Sequence, residues 1–91
     1  MRSTNSTIPL DQLREEAEKA FDRRDYAKSL ELHDQILDSF PSDISAINRK
    51  GIVLSLLNRY DEALLQFSSA IYLNGTMPEL WANKSLTLYY V

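Results

Sequence analysis

Residues Arg24-Asp25-Tyr26-Ala27-Lys28-Ser29-Leu30 return 34 places later as Asn58-Arg59-Tyr60-Asp61-Glu62-Ala63-Leu64. The tyrosine and the final leucine are kept, and the residues ahead of each tyrosine are polar. Working outward with the same shift, Ala17 falls on Gly51 and Gly51 on Ser85, while Leu13, Ile47 and Trp81 coincide. The period therefore runs through two copies and into a third, incomplete one. Self-similarity at such a spacing marks an architecture whose units are too small to bury their apolar faces alone and bury them against one another.

Within each copy the apolar residues recur three and four apart, as on the buried stripe of a helix. Leu10, Leu13, Ala17, Ala20 and Phe21 describe a first helix ending near Arg23. Tyr26, Leu30, His33, Ile36 and Leu37 describe a second, capped by Asp25 and stopping before Pro41. So short a turn makes the two helices antiparallel neighbours. Ser42 or Asp43 caps a third helix that buries Ile47, Gly51, Leu54 and Leu57, and Asn58 tolerates the left-handed conformation that ends it. Tyr60, Ala63, Leu64, Phe67, Ala70 and Ile71 make a fourth, stopped by Asn74-Gly75. Thr76-Met77-Pro78-Glu79 has the form of a capping box for a fifth helix running to the last residue.

A two-helix unit of 34 residues resembles the tetratricopeptide repeat, whose pattern is W-x2-L-G-x2-Y, then A-x3-F, then a closing proline. The second copy matches best, with Gly51 in the small-residue place, Ala63-x3-Phe67 in the second helix, and Ala70 after it. The first copy has Ala17, His33, Ile36 and the closing Pro41, and the third has Trp81, Ser85 and Leu88. Departures are Glu16, Lys50 and Lys84 at the usual leucine place, Ser29 for alanine, and Gly75 for the closing proline. The resemblance implies an all-α fold, a right-handed α-solenoid of antiparallel helix pairs with about two and a half units and five helices. A flexible tail is expected over residues 1–8, unit 1 over 10–43, unit 2 over 44–77, and the first helix of an incomplete unit 3 over 78–91.

Composition narrows the function. The chain of 91 residues allows one compact unit or a short stack, and its two glycines and three prolines suit helices joined by short turns. Net charge is −3, and no run of lysine or arginine suggests a surface that tracks phosphates, so nucleic acid is not an expected partner. Ten acids face six bases up to Asp43, and three face four beyond it, so the front half is the acidic half. Cysteine is absent, there is no signal-peptide core, and no stretch has the length of a membrane span; a cytoplasmic protein without membrane association is expected.

No residues compose a catalytic centre, a metal site or a cofactor cradle. His33 is the only histidine and, without a cysteine or a paired carboxylate at ligand spacing, is expected to pack between helices. Glu15, Glu16, Glu18 and Asp22 alternate with Arg14, Lys19 and Arg23 at the i,i+4 spacings of solvated helix faces. No glycine-rich phosphate loop, nucleophile elbow or zinc-binding pair occurs. The chain reads as a protein-protein interaction scaffold and not an enzyme.

Tetratricopeptide proteins take peptides or helices of a partner in a groove lined by the first helix of each unit. Carried onto this sequence, the resemblance places Arg14, Glu18 and Phe21, then Asn48, Arg49, Ile52 and Leu56, then Asn83, Leu86 and Tyr90 in that groove, acidic at one end and apolar at the other. Some relatives clamp a carboxylate terminus there. The corresponding places hold Arg14, Glu18, Arg49, Glu79 and Asn83, and the two glutamates would repel it, so a partner with apolar and basic side chains is expected. The fifth helix is apolar for a terminal one. Leu80, Trp81, Leu88, Tyr90 and Val91 therefore suggest an alternative, homo-oligomerisation through that helix, or a chain that is a fragment of a longer array.

Overall fold

The computed structural model describes residues 8–91, so the tail expected over 1–8 lies, apart from Ile8, outside the described residues. These form five α-helices: α1 (Leu10–Asp22), α2 (Tyr26–Ser39), α3 (Ile44–Leu56), α4 (Tyr60–Leu73) and α5 (Pro78–Tyr90). The bounds of α1, α3 and α5 differ by 34 residues at both ends, and so do those of α2 and α4. Each helix packs on the next along the chain, and α5 also touches α3.

The turn between α1 and α2 repeats as faithfully as the helices in the turn between α3 and α4. Among the described residues, Arg24 and Asn58 are the non-glycine residues with positive φ, 64° and 62°. The amide of the following residue donates back to Ala20 O in the first unit and Leu54 O in the second, both at 2.8 Å. This is the Schellman closure, which satisfies the last carbonyls of a helix through one left-handed residue. Asparagine tolerates that conformation; arginine adopts it at Arg24 under the same closure. Asp25 and Asp43 accept from the amides of Lys28 and Ala46, so both carboxylates cap as their position suggests.

The fifth helix starts differently from its expected capping box. Pro78 takes the first helical position, which its fixed φ and missing N–H suit, and Met77 becomes the N-cap without a side-chain bond. Thr76 turns away and donates its hydroxyl to Asn74 Oδ1 at 2.6 Å. Glu79 is then one place too early to reach back, and it accepts instead from Asn48 on α3. Helix α4 does stop before Asn74-Gly75, yet neither residue has a positive φ.

Three apolar clusters run through the stack. Ala17, Ala20 and Leu32 join α1 to α2; Leu54, Ala63 and Phe67 join α3 to α4, with Leu30 of α2 against them. Ile47, Ala70 and Leu80 bind α3, α4 and α5 together. Gly51 shows why one place must be small: a Cβ there would lie 2.6 Å from the Phe67 ring. Ala17 at the same place in the first copy is fully buried, whereas Ser85 in the third copy is exposed.

Candidate docking face

The odd-numbered helices carry the expected groove residues on one side of the stack, and side chains from neighbouring helices meet across it. Between α1 and α3 the meeting is ionic. Arg14 pairs with Asp43, which also caps α3. Burial pushes the Asp43 carboxyl up, but the bonds from Arg14 and from the Ala46 amide outweigh it and hold its pKa below the ordinary value. One turn along, Glu18 Oε2 lies 3.0 Å from Arg49 Nε. The Arg49 guanidinium also sits 5.4 Å from the centre of the Phe21 ring, which meets Tyr26 edge-on. Arg14, Glu18, Phe21 and Arg49 are thus brought together, and their charges answer one another.

Beneath this end lies His33, 4% exposed. Burial, with Arg49 and Arg14 adding to it, lowers its pKa to about 4, so the ring is neutral at physiological pH. Neither ring nitrogen nor the buried Ser29 hydroxyl one turn before has a protein hydrogen-bond partner. His33 therefore packs between helices, as its isolation in the sequence suggests.

Between α3 and α5 the link is a polar ladder that ends on the Glu79 carboxylate. Asn48 donates to Glu79 at 3.0 Å, and Asn83 donates to Asn48 Oδ1 at 2.9 Å. Thr87 donates its hydroxyl to Asn83 O and lies 3.5 Å from the Ser55 hydroxyl. Beyond the ladder the face becomes apolar. A cavity of about 270 Å³ opens between Leu56, Tyr60, Leu86, Thr87 and Tyr90. A second of about 160 Å³ shares Leu56 and Leu86 and reaches Ile52 and Phe67. Tyr90 stacks on Tyr60 with ring centres 5.7 Å apart and planes 17° from parallel, and Tyr89 stands edge-on to Tyr90. Leu56, Leu86 and Tyr90 are each about half exposed, at 46%, 59% and 57%.

The residues expected to drive self-association divide. Leu80 is fully buried against Ile47 and Ala70, so it is core and unavailable to another copy. Tyr90 stands at the apolar cavity on the docking face. Trp81, Leu88 and Val91 are exposed.

Asp43, Tyr60 and Thr87 also belong to this face, beyond the residues that the resemblance places on it. Asp43 carries only the signature of a cap, and its counterparts Pro9 and Met77 give no hint of a charge pair. Tyr60 sits in the repeat as a packing tyrosine; only the arrival of Tyr90 from α5 turns it into a cavity wall. No helix among the described residues is long and apolar enough to cross a membrane. No protein-family model matches the chain, and a search of curated proteins finds no match.

Proposed function

We propose that the chain is a non-enzymatic interaction scaffold of the tetratricopeptide kind, its two and a half units stacked as a right-handed solenoid. It docks a peptide or helix of a partner protein on the face carried by α1, α3 and α5. The observation that carries this reading is the apolar cavity between Leu56, Leu86 and Tyr90, wide enough at about 270 Å³ for one large side chain. Exposed leucine and tyrosine around a concavity favour an apolar anchor, with the polar ladder of Asn48 and Asn83 beside it to orient a backbone.

The charged end adds selectivity rather than attraction for a carboxylate. Arg14 and Arg49 already face Asp43 and Glu18, so an acidic terminus would have to displace a carboxylate from each. Selection of random displayed peptides on the full chain tests the reading. Recovered sequences should share one large apolar residue and should bind the Leu86→Glu variant at least about tenfold more weakly. Recovery of peptides that end in acidic residues and depend on Arg49 would replace it with a carboxylate clamp.

A further inference from the structure

The 34-residue register sets two helix junctions of the docking face side by side, and the second lacks a cation that the first has. Arg14 and Asn48 share one place, Glu18 and Ile52 a second, Arg49 and Asn83 a third. Arg14 reaches forward from α1 to a carboxylate at the start of α3, that of Asp43. Asn48 reaches forward from α3 to a carboxylate at the start of α5, that of Glu79. The first contact is an ion pair and the second is a bond from a neutral amide. The neighbouring contact changes in the same sense: Glu18 meets Arg49 at 3.0 Å, whereas Ile52 and Asn83 carry no charge. Among the described residues Glu79 makes no ion pair, and the Asn48 amide meets it at Oε2 and leaves Oε1 open.

Glu79 forms part of the wall of a cavity of about 370 Å³ between α3 and α5. Ile44, Ile52 and Met77 line it with apolar surface, and Asn48, itself 7% exposed, holds the carboxylate in place. Such a pocket suits an aliphatic stem that carries a charged head. Arg49 also borders the cavity, but Glu18 holds its guanidinium over the Phe21 ring, so its charge is answered on the α1 side. Leu86, in the wall of the apolar cavity, lies seven residues along α5 from Glu79, or about 10 Å of helix rise. An extended chain covers that distance in about three residues.

We infer, resting on the docking function proposed for this face, that the Glu79 cavity receives a lysine or arginine of the partner protein. The basic residue belongs to an extended segment whose large apolar residue, three places away, fills the cavity at Leu56 and Leu86. The partner's cation takes the part that Arg14 plays for Asp43. An extended segment fits better than a helical one. The side-chain oxygen of Asn83, one turn beyond Glu79, accepts no bond among the described residues, and an extended backbone has an amide to give it where a helix has none.

The test selects random displayed peptides in parallel on the full chain and on its Glu79→Gln variant, which keeps an acceptor for Asn48 and removes the charge. The wild-type chain should enrich lysine or arginine three places from a large apolar residue; Glu79→Gln should keep the apolar residue and lose the basic one. In titrations of the most enriched peptide, alanine in place of its basic residue should weaken binding about fivefold on the wild-type chain and less than about twofold on Glu79→Gln. Asn48→Arg, which restores the pattern of the first junction, should also remove the preference for a basic residue. An apolar consensus without a basic residue, or a basic residue whose effect survives Glu79→Gln, would overturn the basic seat alone and leave the docking function standing. Peptides indifferent to Leu86→Glu would overturn the docking function and the basic seat with it.

Discussion

The first two 34-residue copies, called units 1 and 2 below, share their helix bounds and the turn between their helices and differ in the side chains that fill them. At corresponding places unit 1 has Ala17, Ser29, His33 and Ile36, and unit 2 has Gly51, Ala63, Phe67 and Ala70. Unit 2 closes a glycine onto a buried aromatic ring, while unit 1 buries an imidazole whose nitrogens find no protein partner. The faces above them differ in the same sense: ion pairs join α1 to α3, and an apolar cavity opens between α3 and α5. A 34-residue register thus conserves helix ends and turns while leaving the chemistry of each core and face free to diverge.

The contrast can be broken most strongly in unit 2. Phe67→Ala removes a ring that is 1% exposed and touches the place of Gly51, so about 3–5 kcal/mol of stability should be lost in urea unfolding. Next comes the pH response of unit 1. His33 has a folded pKa of about 4 against an ordinary 6.5, so the unfolded chain binds its proton first as pH falls. The stability it leaves intact above pH 6.5 should decline by about 3 kcal/mol towards pH 4 and then level off for this group. Asp43, held low by Arg14, adds a further loss below the ordinary carboxylate range. Converting unit 1 to the pattern of unit 2 with Ala17→Gly and His33→Phe together should flatten the slope between pH 6.5 and 4. An unchanged slope in thermal melts of that variant would place the response elsewhere.

A smaller effect sharpens the steric half of the comparison. Gly51→Ala pushes a methyl towards the Phe67 ring and should cost about 1–3 kcal/mol, relieved when Phe67→Leu is added. Non-additivity of that pair in denaturant titrations is the expected sign; simple addition of the two losses would mean that the glycine has another role.

Much of this arrangement is legible before any coordinates, and the part that is not has a physical reason. Helix ends follow from Asp25, Asp43, Asn58 and the apolar stripes, because caps and periodicity are local properties. Arg24 has no signature of left-handed backbone and is recoverable only from its register with Asn58. The capping box at Thr76 misleads because Pro78 moves the helix start by one residue and frees Glu79 for Asn48. The residues expected on the candidate docking face come from the resemblance to the tetratricopeptide repeat, which says nothing of their pairing across helices. Whether Glu18 meets Arg49 or solvent depends on how α1 is rotated against α3, and that rotation is set by core side chains far along the chain. The apolar end is likewise a product of assembly, since Tyr60 and Tyr90 lie 30 residues apart and meet only when α5 packs down.

If the face docks a partner as proposed, its binding energy resides at the apolar end and not at the ionic one. Isothermal titration of one selected peptide against the wild-type chain, Leu86→Glu and Arg49→Glu compares the two ends directly. Leu86→Glu should weaken binding by at least about tenfold, with Arg49→Glu changing it by about threefold or less. A peptide that loses its affinity with Arg49→Glu and keeps it with Leu86→Glu would contradict the account.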